Sequence, residues 1–243
     1  LPDDKTVREQ LGKIVRGHIS AWDPVAQKEV WRVQHNNMWN GGLLSTAGNL
    51  VFQGNSDGEF VAYRADNGTR IWSTPTYTGI VAAPISYAID GQQYIAIAAG
   101  WGGAYSLVSG ELGTRSKGAV NRSRMLVYKL DSKQQLPVPE TIERPLPQPP
   151  IQISSAKTLD AGHTLYMRNC MVCHGDRAIS ASSVPDLRYM SSDTHAKFDA
   201  IVRGGLYWQR GMMAFGDKLS KPETDAIHAY LIKRSHDLVE GKE

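Results

Sequence analysis

Ala21-Trp22-Asp23-Pro24-Val25-Ala26-Gln27-Lys28-Glu29-Val30-Trp31 and Ala62-Tyr63-Arg64-Ala65-Asp66-Asn67-Gly68-Thr69-Arg70-Ile71-Trp72 are two versions of one unit. Each opens on Ala and an aromatic residue, each closes on Trp, and they stand 41 residues apart. A period of roughly 40–45 residues carrying four short strands is the signature of β-propeller blades. The turns agree. Val51-Phe52 and Phe60–Tyr63 are short apolar runs bounded by Gly48-Asn49, Gly54-Asn55, Asp57-Gly58 and Asn67-Gly68. Further strands are expected at Ile80–Ala88, Gln93–Ala99 and Arg124–Leu130, with Asp90-Gly91 as a hairpin turn. A propeller closes with about 4–8 blades, and residues 1–135 supply about three at this period. Three blades would leave raw sheet edges. The missing blades are therefore expected from an upstream part of the same product or from a second chain.

Proline marks the end of this zone. Pro137, Pro139, Pro145, Pro147, Pro149 and Pro150 crowd the stretch from Leu136 to Ser155. Such a stretch favours extended polyproline geometry and reads as a semi-rigid linker, 136–155. Beyond it, over 156–243, the periodicity turns helical. Helices are expected over Asp160–Asn169, Lys197–Arg203 and Ser220–Arg234. The last begins with Ser220 as N-cap, Pro222 in the first turn and Glu223 at the capping-box position. The expected architecture is thus an all-β partial propeller followed by an all-α domain.

The 243 residues are 41% hydrophobic and carry a net charge of +3. No basic stripe is present, so nucleic acid is not an expected partner. Mean hydropathy is −0.35, and no apolar run approaches the roughly 20 residues of a membrane span. Because the chain begins at Leu1 rather than Met, the missing signal peptide says nothing about compartment.

The two cysteines lie together in Cys170-Met171-Val172-Cys173-His174. C-x-x-C-H reads as c-type haem attachment: two thiols bond the haem vinyl groups and His174 binds the iron. Zinc is the rival, but it wants four nitrogen or sulfur ligands and would have to recruit His163 and His195. A thioredoxin-like pair expects a βαβ context that is missing. The sixth iron ligand is sought among downstream methionines. Met212 and Met213 are adjacent candidates in a Gly-flanked loop, with Met212 preferred. A His/Met pair raises the reduction potential and leaves no open iron site, which makes an electron carrier. Met167, Met171 and Met190 are expected to pack.

These zones together resemble the carboxy-terminal third of the quinohaemoprotein alcohol dehydrogenases. The two repeats resemble that family's tryptophan docking motif. Met38–Gly42 with Thr46–Gly54 is similar to its quinone-pocket segment, and Gly91–Tyr94 with Ala99–Gly103 to its last blade. Val184–Arg188 and Gly211-Met212 fit the haem wrapping. The resemblance implies an eight-bladed propeller binding pyrroloquinoline quinone (PQQ) and Ca2+, joined to a class I cytochrome c domain with covalent haem c. It implies that Trp39 and Asn40 touch the quinone, unless Trp39 is a blade-docking residue like Trp31. It implies that the Pro185 carbonyl meets the His174 ring, and that Arg203 and Trp208 lie near the haem propionates, Arg203 being otherwise a solvated helix residue. There are departures. Arg64 replaces the Asp of the first repeat, and Asn67-Gly68 replaces the family's Thr-Gly. The catalytic aspartate, the calcium ligands and the adjacent-cysteine disulfide would lie upstream of Leu1.

The implied whole is a periplasmic enzyme that oxidises an alcohol at PQQ. It then passes electrons through the haem to an external acceptor: a small copper protein, a cytochrome or a quinone. Without its upstream propeller this chain is expected to be inactive. The alternative is a stand-alone or subunit-type cytochrome without dehydrogenase activity.

Overall fold

The computed structural model describes residues 4–102, 107, 121–140, 144–180 and 184–242. Residues 4–102 and 121–140 form one compact unit, and 144–180 with 184–242 form the other.

The first unit opens with a helix that the sequence reading did not anticipate. In α1 (Lys5–Ile14), the Asp4 carboxylate caps the first turn by accepting from the Val7 N–H at 3.1 Å. Three antiparallel sheets follow. β1 (His18–Asp23) and β2 (Lys28–Gln34) form a two-stranded sheet. β3 (Leu43–Thr46), β4 (Leu50–Gly54), β5 (Glu59–Arg64) and β6 (Arg70–Pro75) form a four-stranded meander. β7 (Ile85–Ile89), β8 (Gln92–Ala99) and β9 (Arg124–Lys129) form a three-stranded one. The described residues thus hold one complete blade and parts of two, rather than three whole blades.

The sequence repeat is a structural repeat down to its irregularity. Ala21 faces Trp31 and Ala62 faces Trp72. The register then slips in both hairpins, so that Trp22 pairs with Glu29 and Tyr63 with Arg70. β1–β2 is therefore the counterpart of β5–β6, the last two strands of a blade. Trp31 docks it onto the next sheet. Its indole N–H donates to the Ala65 carbonyl at 3.0 Å, and its ring lies where a Cβ on Gly68 would stand, 2.6 Å away. Gly68 also turns the chain at φ +72°.

Phe52, Phe60 and Ala62 pack on Ile97, Ala99 and Leu126 of the third sheet. Ile80 fills the hollow over Gly54, where a Cβ would come within 2.2 Å of its Cγ2. This explains a difference from the sequence reading: Ile80 is a buried core residue bridging Gly100, and the strand begins only at Ile85, after Pro84. The opposite face of the third sheet is also apolar. Ile85 pairs across Ala96 to Val127, and Met125 pairs with Ala98. Ile85, Val127 and Met125 are all more than half exposed. A sheet apolar on both faces belongs between two others, and nothing among the described residues covers this side.

The second unit is helical. Its main helices are α2 (Ala156–Asn169) and α6 (Lys221–Val239), with short helices α3 (Met171–His174), α4 (Ser192–Ala196) and α5 (Phe198–Val202) between them. Ser155 caps α2 by accepting from the Thr158 N–H. Glu223 accepts from both the Ser220 N–H and hydroxyl at the start of α6, the expected capping box. α6 runs one turn past the expected end at Arg234. Gly162 lets α2 cross α6 at close range, for a Cβ there would stand 2.0 Å from the Ala226 carbonyl oxygen. Tyr166, Phe198, Ile227 and Leu231 form the core beside this crossing.

The described residues of the proline-rich stretch make contacts of their own with each unit. Leu136 packs on the β core. In the second unit, His236 Nε2 donates to the Pro150 carbonyl at 2.8 Å, and the Gln152 amide donates to the Ala229 carbonyl at 2.9 Å. The Arg144 guanidinium lies 3.9 Å from the centre of the Tyr189 ring.

Candidate functional site

α2 delivers the chain into the cysteine motif. Cys170 ends α2 and opens α3, and its carbonyl accepts from the His174 N–H at 3.0 Å. One helical turn therefore holds Cys170, Cys173 and His174. Gly175, at φ +79°, stops the helix directly after the histidine. The Tyr166 hydroxyl, fully buried, donates to the Gly175 carbonyl at 2.7 Å and ties that stop to α2. Both thiols are free. Burial, with Cys173 nearby, pushes the Cys170 thiol up to about 12.

His174 Nδ1 donates to the Pro185 carbonyl at 3.3 Å. That bond places the ring proton on Nδ1 and leaves Nε2 with its lone pair. Burial lowers the His174 pKa, against the opposing effects of this bond and Asp186, which favours the neutral, metal-binding form. Pro185 is itself held. Asp186 caps the 3-10 turn Leu187–Tyr189 and grips Arg188 at 2.7 Å in a nearly buried ion pair. The Arg188 carbonyl accepts from the Ser235 hydroxyl of α6 at 2.6 Å.

The methionines divide as their packing dictates. Met190 is buried in the core, and Met167 and Met171 pack against it. Met212 also turns inward onto that core, whereas Met213 is 65% exposed. Arg203 is committed within the protein: its Nε donates to the Leu219 carbonyl at 3.1 Å, and Nη1 reaches Asp199 at 3.4 Å. Trp208 is 69% exposed on a 3-10 turn.

In the first unit, Trp39 and Trp101 border one open cavity of about 820 Å³, with Val81, Ala99 and Arg124. Asn40 is oriented by its neighbours. Its Nδ2 donates to the Asn37 carbonyl at 2.9 Å, and its Oδ1 accepts from the Ser56 N–H and hydroxyl at 3.2 and 3.4 Å. One amide hydrogen remains for a ligand.

Residues 7–95 match the family described as glucose/ethanol/alcohol dehydrogenase, β-propeller domain. Residues 157–231 match cytochrome c oxidase, cbb3-type, subunit III. The quinohaemoprotein alcohol dehydrogenase ADH-IIG of Pseudomonas putida is 42% identical over 94% of this chain and 32% of the relative. The dehydrogenase subunit of alcohol dehydrogenase (quinone) from Acetobacter aceti is 38% identical over 98% and 32%. The solved structure of ADH-IIG from Pseudomonas putida HK5 superposes with a TM-score of 0.89, at 41% identity, over 95% of this chain and 33% of that one. Over nearly its whole length the chain is similar to a segment of the quinohaemoprotein alcohol dehydrogenases.

The segment spans about a third of the length of these relatives. Its helical unit carries residues that could hold haem c: two free thiols in one turn and an imidazole with Nε2 left available. Its β unit carries the cavity bordered by Trp39 and Trp101 and, beside it, the loop that holds Asn40. Sequence reasoning missed what holds that loop. His35 and Gln53 lie beneath it, and no motif spacing marks them. Gln53 is a buried polar residue after the apolar run Leu50–Phe52 of β4, whereas His35 is buried just past β2 among Gln34, Asn36 and Asn37, where no break in patterning marks it.

Proposed function

We propose that this segment is the electron-exit third of a periplasmic quinohaemoprotein alcohol dehydrogenase. The cofactors of such an enzyme are covalent haem c and, shared with upstream blades, PQQ and Ca2+. When bound, they take two electrons and two protons from an alcohol and release the electrons singly. Residues 1–135 belong to the propeller, 136–155 to the linker and 156–243 to the cytochrome domain. Cys170 and Cys173 anchor the haem. His174, held by the Pro185 carbonyl, and Met212, turned onto the core, would ligate the haem iron. That pair leaves no site for oxygen chemistry and suits the domain to outer-sphere transfer. Trp39 supplies apolar wall and Asn40 its remaining amide hydrogen to the quinone. The rest of the reaction belongs to the upstream blades, so this segment alone is inactive. Electrons leave to an external acceptor: a small copper protein, a cytochrome or a membrane quinone.

The observation that carries this reading is the coexistence, in one chain, of a propeller blade with an apolar uncovered flank and a C-x-x-C-H turn with an oriented imidazole. The test is anaerobic alcohol addition to the full-length protein loaded with PQQ and Ca2+. Appearance of low-spin ferrous c-type bands supports the proposal. A haem that is reduced by dithionite but never by alcohol refutes it and leaves the electron-carrier alternative.

A further inference from the structure

Asn36, Asn37, Asn40 and Gly41 are fastened onto Gln53, Gly54, Ser56 and Asp57. The Asn36 and Asn37 amides donate to the two carboxylate oxygens of Asp57, at 2.9 and 2.8 Å. Asn40 accepts from Ser56. The Gly41 N–H donates to the Gly54 carbonyl at 2.8 Å, and the Gly41 carbonyl accepts from Gln53 Nε2 at 2.9 Å. Gly41 admits no side chain, since a Cβ would stand 2.8 Å from both the Ala82 and Gly54 oxygens. With both of its backbone groups bonded, Gly41 fixes the direction in which Trp39 and Asn40 leave the loop.

The last bond in this series depends on a residue that lines no cavity. Gln53 Nε2 serves Gly41, so Gln53 Oε1 faces the His35 ring, 2.8 Å from its Nε2. A carbonyl oxygen needs a donor, so His35 carries its proton on Nε2. Were His35 to present a bare nitrogen, Gln53 would turn its amide, and two oxygens would meet at Gly41. His35 and Gln53 are both more than nine-tenths buried, so neither bond can be replaced by water. Burial keeps His35 neutral, against the pull of Gln53 and of Asp57 and with the push of His18. The backbone of His35 is also fixed, its N–H donating to the Gly17 carbonyl at 2.9 Å.

We infer that His35 is a positioning residue for quinone binding: through Gln53 it holds the Gly41 carbonyl, and with it the loop that carries Asn40 and the Trp39 wall of the cavity. The inference rests on the proposed quinone function. It differs from mere core filling because a phenyl ring would fill the same space and a donor-bearing side chain is what the site requires.

The test titrates PQQ with Ca2+ into the full-length apoprotein and follows quenching of tryptophan fluorescence. His35→Phe keeps the volume and removes the donor, and its dissociation constant is expected to rise about tenfold, roughly 1.4 kcal/mol. His35→Gln restores a donor and is expected to bind within about threefold of wild type, on the order of 0.6 kcal/mol. Gln53→Glu keeps the acceptor for His35 but withdraws the donor from Gly41. It should weaken binding like His35→Phe, and the double variant should lose no more than either alone. If His35→Phe fails to fold, His35→Gln and Gln53→Glu carry the comparison. Unchanged affinity in His35→Phe or in Gln53→Glu, or a His35→Gln as weak as His35→Phe, overturns the inference while leaving the enzyme reading intact. A wild-type protein that takes up no PQQ overturns both.

Discussion

Replacing Gly162 by Ala tests whether the α2–α6 crossing decides the stability of the haem-bearing unit. The added Cβ would stand 2.0 Å from the Ala226 carbonyl oxygen, 2.6 Å from its carbon and 3.1 Å from Tyr230 Cβ. The first two neighbours are backbone of α6, so no rotamer change relieves the clash. The helices must part by more than an ångström, which separates Tyr166 from Ile227 and Leu231 in the core. Overpacking of this kind costs about 1–3 kcal/mol when side chains can yield, and here the upper end applies. Ala gains about 1 kcal/mol over Gly in helix propensity. The net expectation is a loss of roughly 2 kcal/mol. For a unit of this size that is a fall in Tm of about 8–16 °C, read from helical circular dichroism and the haem absorbance of the full-length protein. A Gly162→Ala variant as stable as wild type, or more stable, would refute the reasoning, because propensity alone would then govern the site.

Three further outcomes follow from the structure. Met212→Ala should abolish the far-red methionine–iron charge-transfer band and lower the haem potential, while Met213→Ala should leave both unchanged; the reverse pattern would exchange the ligands. Stability should fall as pH drops from about 6.5 toward 4. Burial, and then His195 at 2.8 Å, hold the His228 pKa at about 4, so in this window the unfolded chain takes a proton that the native state refuses. Urea midpoints measured across that range should show a shallower slope in His228→Phe, though not a flat one, because burial lowers the His35 and His195 pKa as well; an unchanged slope would refute the assignment. Gly68→Ala should destabilise the propeller unit by about 2 kcal/mol, from a positive φ and the Trp31 ring together; a neutral effect in thermal unfolding would show that Trp31 does not dock there.

Some of this was open to a reading of residues alone. The 41-residue echo between Ala21–Trp31 and Ala62–Trp72 predicted blades, and the two hairpins share even their bulge. Ser220, Pro222 and Glu223 marked the start of α6 because caps are local devices. Val7, Leu11 and Ile14 stand at helical spacing in Lys5–Ile14, so this helix was open to a reading of the pattern, although the segment is otherwise polar. Other features were closed to it. Ile80 sits in an apolar run that reads as strand, yet it is drawn out of the sheet to fill the hollow over Gly54. Met212 and Met213 are adjacent and chemically identical, and only packing separates them.

Features whose physics is contained within one turn or one repeat could be read from the residues alone. Two cysteines and a histidine spaced by a helical turn read as haem attachment from the motif alone, and a strand period with its turn glycines reads as a blade. The tertiary structure decided what depends on partners distant in the chain. Pro185 reaches His174 across 11 residues, and His35 reaches Gln53 across 18. No local periodicity encodes those distances. They are set by burial, which excludes water and obliges each buried donor to find the one acceptor that the fold brings within reach.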